Sequence, residues 1–185
     1  MIYFTSDHHF GHTNILKYTR RGEHFKTVEE MDDYLIQKWN SQVKYSDTVY
    51  HLGDFYLGNP NGATKILKKL NGNIHLINGN HDNFLNATNK RFFGSIRDYY
   101  SLRYDGLKFK LFHYPILEWD GKYHGSIHLF GHSHGKIQMP GRALDVGIDN
   151  SPDYALFHID EVIELLLPEP YKYEDLSTMS TIKNE

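Results

Sequence analysis

The 185-residue chain contains no cysteine. This absence excludes disulfide bonds, thiolate metal ligands and a cysteine nucleophile, and it fits a reducing compartment, so we expect a cytoplasmic protein. The chain also has no run of 18 apolar residues, and we therefore expect no membrane span. Its first ten residues, MIYFTSDHHF, have neither a basic segment nor a long apolar segment, and we do not expect a signal peptide.

The chain also has no excess of basic over acidic residues. The chain has 20 basic and 23 acidic side chains, which gives a formal net charge of −3. This balance does not predict a large basic face, so long duplex nucleic acid is not an expected partner. A small phosphorylated substrate remains compatible, because bound metal ions can supply positive charge locally. The length suits one domain with a substantial core, which we place at residues 1–167, followed by a polar C-terminal tail at 168–185.

Apolar segments of strand and of helix length alternate along the chain, which is typical of an α/β fold. A helix is predicted over 27–42, with Thr27 as its N-cap and Glu30 completing a capping box. A second helix is predicted over 62–70, where Asn71 and Gly72 supply the stop. The predicted strands cover 2–5, 48–52, 73–77, 107–112, 126–130, 142–146, 154–159 and 162–166.

The chain is rich in histidine, with 13 residues, and histidine is the commonest metal ligand in proteins. Five predicted strands run into a Gly, Ser or Asn turn or directly into a side chain that can bind a metal. In layered α/β folds ligands gather at the carboxyl ends of the strands, so we predict that these endings converge on one edge of the sheet. The candidate ligands are Asp7, His9, Asp54, Asn80, His113, His132 and His134.

The mixture of donors in this set indicates which metals it suits. Carboxylates alone would suit Mg²⁺ or Ca²⁺, whereas added imidazoles shift the preference toward Mn, Fe, Co, Ni or Zn. Neutral imidazoles and an amide keep such a site cationic, so it attracts phosphate and can hold hydroxide near neutral pH. Asp54 can bridge two ions, because its two oxygens can face different metals. In contrast, strand alternation predicts that His8 points away from the site and is structural.

These residues resemble the pattern of the calcineurin-like metallophosphoesterases, which is D-x-H, G-D, G-N-H-[DE], H and G-H-x-H. The resemblance covers about residues 1–150 and leaves no motif unmatched. The segments SDHHFGHTNI, KWNSQV and TVYHLGDF are similar to a small bacterial and phage branch of the family. That branch often has Arg-Pro-Phe where this chain has Arg21-Gly22-Glu23-His24-Phe25, so Arg20 and Arg21 are both candidates for the role of that arginine.

The resemblance implies an αββα fold, a layered β-sandwich flanked by helices, with the metal site at the C-terminal ends of the strands. It also implies two divalent transition metal ions, with manganese foremost and Fe, Ni, Co, Zn or Mg as alternatives. A metal-bridging hydroxide would attack the phosphorus in line, His81 would protonate the leaving oxygen or steady the transition state, and Asp82 could orient the His81 ring. The first metal would be held by Asp7, His9 and His134, and the second by Asn80, His113 and His132, with Asp54 bridging both.

The sequence leaves the substrate open. His12 could line the substrate pocket or cap a helix near Thr13, and the adjacent Arg20 and Arg21 could contact a phosphate or be a solvated pair. The 14 tyrosines are scattered and form no nucleotide-stacking motif. We expect hydrolysis of a phosphomonoester or phosphodiester with a small or nucleotide-like group. The alternatives are a non-catalytic interaction scaffold and a nuclease that acts on short or cyclic nucleic-acid substrates.

Overall fold

The computed structural model describes residues 1–167, and the predicted polar tail at 168–185 lies outside the described residues. The strands are β1 Ile2–Thr5, β2 Thr48–His51, β3 Asn73–Ile77, β4 Phe93–Arg97, β5 Tyr99–Tyr104, β6 Leu107–Phe112, β7 Ile127–Phe130, β8 Ala143–Asp145 and β9 Phe157–His158. The helices are α1 Ile15–Tyr18, α2 Arg21–His24, α3 Val28–Gln42, α4 Pro60–Leu67 and α5 Ile159–Leu166, and short 3-10 turns lie between some of the strands.

The strands form two sheets. The first has the order β4-β3-β2-β1-β9, in which β1 to β4 are parallel and β9 pairs antiparallel with β1. The second has the order β5-β6-β7-β8, in which β5 pairs antiparallel with β6 and the other neighbours are parallel. The carboxyl ends of β1, β2 and β3 therefore lie along one edge of the first sheet, and those of β6 and β7 along one edge of the second.

Alternation along the strands of the first sheet builds two apolar cores. Phe4 and Tyr50, which lie opposite each other in register, face the second sheet and pack with residues such as Phe109. Their neighbours Tyr3 and Val49 point to the other side and pack with residues of α3 and α4. Two sheets with an apolar layer between them, and with α3 and α4 against the outer face of the first, confirm the predicted α/β sandwich flanked by helices.

The α3 helix follows its predicted bounds to within one residue. The Thr27 side chain accepts a hydrogen bond from the Glu30 backbone N–H at 3.1 Å, as expected of the N-cap. The Glu30 carboxylate, however, accepts from the backbone N–H of Lys26 at 2.9 Å rather than from that of Thr27. The α4 helix begins at Pro60, two residues earlier than predicted, because Asn59 caps it and proline is well tolerated in the first turn.

Two predictions of secondary structure are wrong, and two strands were missed. The segment 162–166 lies in helix α5, where Ile159 and Val162 are buried at a helical spacing. The predicted strand at 154–159 is reduced to β9, Phe157–His158. β4 and β5 were not predicted, because most of their side chains are partly or fully exposed and neither strand shows a clear apolar alternation.

The converging strand ends come from both sheets, not from one sheet edge as predicted. In the loops that follow strands of the first sheet, the backbone N–H of Asp7 donates to the Gly53 carbonyl at 3.0 Å. In the loops that follow strands of the second sheet, the N–H of Gly131 donates to the His113 carbonyl at 2.9 Å. The His132 N–H then crosses between the sheets to an Asp7 carboxylate oxygen at 2.8 Å. Among residues 1–167, no helix combines the length and apolar character that a bilayer crossing requires.

Candidate metal centre

The loops after β1, β2, β6 and β7 bring the predicted ligands into two adjoining groups. The first group contains Asp7, His9 and His134, and the second contains Asp54, His113 and His132. Within each group the potential ligand atoms lie within 4.8 Å of one another, which is close enough for one ion to contact all three. Six of the seven predicted ligands thus lie in two groups, and their division agrees with the one that the family resemblance implies.

The Asp54 carboxylate lies between the two groups. Its Oδ2 is 3.6 Å from His9 Nε2 in the first group, and its Oδ1 is 3.6 Å from His113 Nε2 in the second. The seventh predicted ligand, Asn80, lies against the second group, with its Oδ1 3.1 Å from His113 Nε2. This placement presents one carboxylate oxygen to each group, as a bridging ligand requires.

Five of these residues have a left-handed backbone. In non-glycine residues this conformation costs about 1–3 kcal/mol and persists only where the surroundings impose it. Only three other non-glycine residues in the described chain share it: Asp105, Asp153 and Tyr154. The concentration of strain at the strand ends indicates that the turns are built to aim these side chains. The five φ values are 59° for Asp7, 51° for His9, 55° for Asp54, 66° for His132 and 48° for His134.

Glycines allow the strained turns to approach one another. A Cβ on Gly131 would lie 2.5 Å from an Asp7 carboxylate oxygen and 2.0 Å from Ser6 Oγ. A Cβ on Gly79 would lie 2.3 Å from Asp54 Oδ1. The glycines of the G-H-S-H and G-N-H-D motifs are therefore required because the carboxylates of the site occupy the space that a side chain would need.

Hydrogen bonds set the ring orientation of two of the histidines. His113 Nδ1 donates to the Leu52 carbonyl at 2.7 Å, because a carbonyl oxygen can only accept. His134 Nδ1 lies 2.6 Å from an Asp149 carboxylate oxygen and donates to it. In both rings the proton is thereby held on Nδ1, which leaves the Nε2 lone pair for a metal, as is common for histidine ligands.

Buried polar atoms in the first group lack partners within residues 1–167. They are Asp7 Oδ1 and both ring nitrogens of His9. Burial raises the pKa of Asp7 to about 8, with the neighbouring Asp54 adding to the rise and His134 opposing it. Burial also lowers the pKa of His9 to about 2, helped by Arg21 and His134. A divalent cation would give Asp7 Oδ1 and one His9 ring nitrogen a partner and would favour the ionised carboxylate and the neutral imidazole, so these residues fit a metal.

Beneath the first group lies an ion pair that sequence reasoning missed. The Arg21 guanidinium donates to both Asp149 oxygens, at 2.8 and 2.7 Å, and to the backbone carbonyls of His8 at 2.7 Å and Asp7 at 2.6 Å. Burial alone would raise the pKa of Asp149, but hydrogen bonds from His134 and Arg21 hold it below its usual range. The structure thus links Arg21 through Asp149 to His134.

This ion pair corrects the prediction that Arg21 contacts the substrate. Its side chain is fully buried and its donors are engaged by protein groups. Arg20, by contrast, is exposed and lines a cleft beside His134. A signal for Asp149 was available in the sequence, because Gly147 and Asp149 follow the short strand β8 much as Gly53 and Asp54 follow β2.

The role expected of Asp82 is also corrected. Its carboxylate accepts the backbone N–H groups of Gly79 at 2.8 Å, Asp54 at 3.0 Å and Phe55 at 2.8 Å, and it makes no hydrogen bond to the His81 ring. Burial raises its pKa to about 6 against the lowering effect of these bonds. Asp82 therefore holds the G-D turn against the G-N-H-D turn, which makes it a positioning residue.

His81 and His12 lie together at the mouth of the site. The His81 backbone N–H donates to Asp54 Oδ1 at 2.9 Å, and its half-buried ring lies 5.5 Å from that of His9, centroid to centroid. The His12 ring is half-buried and lies 5.4 Å from His9 and 6.2 Å from His81. Burial lowers the pKa of His12, with His81 and Arg21 adding to the effect. Both rings therefore border the candidate metal groups.

His8 points away from the ligands and into the core, where it meets His51. The Gly53 N–H donates to His51 Nδ1 at 3.2 Å, so the ring carries its proton on Nε2, which donates to His8 Nδ1 at 3.0 Å. Both rings are buried, and burial lowers the pKa of His51 to about 3 and that of His8 well below its usual range. This pair of neutral rings ties the β1 turn to the β2 turn.

Acid is expected to weaken the fold through His51. Its unfolded pKa is near 6.5 and its folded pKa is about 3, so only the unfolded chain gains the proton as pH falls through this window. The contribution of the neutral His51 ring to the unfolding free energy is therefore complete above about pH 6.5 and is lost progressively below it. Relative to His51→Gln, the wild type should lose about 2 kcal/mol of unfolding free energy between pH 6.5 and 5, since each pH unit is worth about 1.36 kcal/mol.

Urea unfolding of both proteins with a chelator present measures this difference, because released metal then makes no contribution. Between pH 7 and 8 the difference should be constant, which provides the internal control. An equal gap between wild type and variant at pH 7 and pH 5 would contradict a neutral buried His51.

Two stacked sheets flanked by helices, with paired Asp and His groups at the strand ends, define a metallophosphoesterase type of domain. The chain belongs to the calcineurin-like phosphoesterase superfamily, whose domain matches residues 2–144. This match includes each of the seven predicted ligands and His81.

Relatives extend over nearly the whole chain. An uncharacterized protein of Methanocaldococcus jannaschii is 40% identical over 174 residues, which cover 89% of this chain and 90% of that protein. The Gene 66 protein of Mycobacterium phage D29 is 28% identical and covers 89% of this chain and 95% of its own length. The crystal structure of a protein of unknown function from Aquifex aeolicus has a TM-score of 0.68 and 25% identity, and it covers 90% of this chain and 99% of that chain.

Proposed function

We propose that the protein is a phosphoesterase that depends on two divalent metal ions and hydrolyses a small phosphomonoester or phosphodiester. The observation that carries the proposal is the pair of three-residue groups that share the Asp54 carboxylate between them. Family membership supports the reaction class, and the unpartnered buried atoms of Asp7 and His9 support metal binding.

In this proposal Asp7, His9 and His134 hold one ion, while His113, His132 and Asn80 hold the other and Asp54 touches both. The mixture of imidazole, carboxylate and amide donors suits Mn, Fe, Co, Ni or Zn, and we place manganese first. When bound, the ions supply positive charge for the phosphate and lower the pKa of water so that it can act as a nucleophile near neutral pH.

The chain's own residues complete the chemistry around the phosphate. His81 lies at the mouth with a half-exposed ring, and its backbone is held by Asp54 at 2.9 Å, so the ring position is tied to the bridging carboxylate. From there an imidazolium can give its proton to the oxygen of the departing alcohol. Asp82 keeps the His81 turn against the Asp54 turn through its three backbone hydrogen bonds.

A small substrate fits the charge of the chain better than a long polymer. The formal net charge is −3, so the positive potential needed for phosphate comes from the metal centre and not from an extended basic surface. Only one phosphate of such a substrate has to be held at the ions. Contacts between the protein and the organic part of the substrate then distinguish it from other phosphate esters.

The test is hydrolysis of p-nitrophenyl phosphate and bis-p-nitrophenyl phosphate by chelator-treated protein to which Mn²⁺, Fe²⁺, Co²⁺, Ni²⁺, Zn²⁺ or Mg²⁺ is returned. We expect turnover that depends on added metal and saturates at two ions per chain. His81→Gln should retain both ions and lower kcat by about 10²–10⁴-fold, the usual contribution of a general acid. His124→Gln, at an exposed turn outside the site, serves as the matched control.

The outcome that would overturn the proposal is two-ion binding without turnover of either reporter or of a broad panel of phosphate esters. That result would support a metal-binding interaction scaffold instead. Turnover by His81→Gln at the wild-type rate would remove the proton-donor role of His81 and leave the metal proposal intact.

A further inference from the structure

A cleft of about 620 Å³ opens beside the first metal group, with His134 and Asp149 in its wall. It lies within the range of about 300–1,000 Å³ that is common for small-molecule sites. Three aromatic side chains and two basic ones also line it: Tyr18, His24, Tyr154, Arg20 and Lys136. The metal chemistry uses none of these five residues.

The acidic groups of the cleft are already paired, whereas its basic groups are available. Asp149 is bonded to Arg21 and His134, and Asp153 is bonded to Lys38 at 2.6 Å. Lys136 forms no side-chain hydrogen bond or ion pair with any residue of 1–167. Arg20, with its side chain 87% exposed, has only a surface contact to Glu23 at 3.5 Å, and such pairs contribute little. The cleft therefore offers two cations to an anion outside the metal groups.

The aromatic side chains of the cleft come from two distant segments of the chain. Tyr18 is 67% exposed, although a ring of this size normally packs, and its edge contacts the His12 ring at 6.4 Å, centroid to centroid. Tyr154, from the segment before β9, shares a hydrogen bond of 2.9 Å with His24 Nδ1. Its ring also contacts those of Phe25 and Tyr34, which fix its position at the cleft. Tyr154 has a left-handed backbone with φ 56°, and so does the preceding Asp153 with φ 57°.

We propose that this cleft binds the organic part of the phosphoester, and that this part is a nucleotide with a second phosphate group. The base lies between Tyr18 and Tyr154, the second phosphate meets Arg20 and Lys136, and the reacting phosphate lies at the metal groups. Planar rings suit a base because every base has a π-face, and open cations suit a phosphate. The inference rests on the proposed function and names the substrate class of that site.

Three ligands that differ by one feature at a time test the inference. They are ribose 5-phosphate, adenosine 5′-monophosphate and adenosine 3′,5′-bisphosphate, measured as competitive inhibitors of reporter hydrolysis by the metal-loaded enzyme. Adding the base should tighten binding by roughly 5- to 150-fold, as expected of stacking worth about 1–3 kcal/mol. Adding the second phosphate should tighten it by about another tenfold, as expected of hydrogen bonds to charged groups, and salt should reduce this step.

Amino-acid substitutions test which side chain provides each gain in affinity. Tyr18→Ala should remove most of the gain from the base, and Lys136→Ala should remove most of the gain from the second phosphate. Tyr45→Ala and Lys65→Ala, which replace an 86% exposed tyrosine and an exposed lysine outside the cleft, should leave both gains and the reporter rate unchanged.

Calorimetric titration of the same ligands needs no turnover, so it tests the cleft even if the proposed function fails. Equal affinity for all three ligands would overturn the cleft assignment, and so would gains that survive in Tyr18→Ala and Lys136→Ala. Loss of reporter hydrolysis with the graded affinities intact would instead overturn the proposed function alone.

Discussion

Asp54→Asn is expected to lower kcat/KM by at least about 10³-fold in the metal-loaded enzyme. The amide retains the size of the carboxylate, and its oxygen can still accept the His81 N–H. Its NH2 group then faces His9 Nε2, where the second carboxylate oxygen now lies at 3.6 Å, so the first group loses a donor oxygen and both groups lose the shared negative charge. Metal charge supplies several kcal/mol to phosphoryl transfer, and each 1.36 kcal/mol is a factor of ten in rate.

Steady-state kinetics with bis-p-nitrophenyl phosphate, together with metal content after dialysis, measures the effect. Metal content should fall below that of the wild type, which separates a binding defect from a general loss of structure. Asp105→Asn is a matched control, because Asp105 also has a left-handed backbone, with φ 46°, but lies in the exposed turn between β5 and β6. Full metal content and a near wild-type rate in Asp54→Asn would contradict a bridging role.

Arg21→Ala is expected to cost about 3–5 kcal/mol of unfolding free energy, the usual range when one partner of a buried pair is removed. The variant leaves Asp149 without its bidentate partner and leaves the carbonyls of Asp7 and His8 without their donor. Because these carbonyls belong to the strained turn that aims Asp7 and His9, metal affinity should fall as well. We expect about 10- to 100-fold, as for other groups that orient metal ligands.

Urea unfolding with an unchanged m value gives the stability difference, and competition with a metal indicator gives the affinity. Arg20→Ala is the adjacent control and should change unfolding free energy by no more than about 0.5 kcal/mol, because the Arg20 side chain is 87% exposed. A cycle with Asp149→Asn should show a coupling of roughly 0.5–3 kcal/mol. Additive effects of the two substitutions would show that the pair does not act as a unit.

Short-range patterns were sufficient to predict most of the first half of the fold. Strands β1, β2, β3 and β6 follow their predicted bounds to within one residue, because each is a short apolar segment bounded by turn residues. Helix α3 was predicted from its cap and its apolar stripe. β4 and β5 were not, since partly exposed edge segments give no distinct period, and the end of α5 was predicted as a strand because its apolar segment is short.

The positioning contacts of the site could not be read from the sequence. Arg21 and Asp149 are 128 positions apart, and a solvated arginine pair and a buried ion pair look the same in the chain. Likewise, a carboxylate that follows a histidine is consistent with orienting that ring, whereas Asp82 in fact accepts three backbone N–H groups. Such partners depend on which loops meet, and one sequence does not record pairing between loops.

By itself the sequence determined the chemical identity of the site. Carboxylate, imidazole and amide donors follow the strands in a set order, and neighbouring glycines permit the close turns. The sequence shows these features directly, because residue type and position relative to a strand end are local properties of the chain. Tertiary structure decided how close the candidate ligands lie to one another, which oxygen of Asp54 faces each group, and that the strand ends come from two sheets. It also brought Tyr18 and Tyr154 to one cleft, because the pairing of β9 with β1 joins segments that are far apart in the chain.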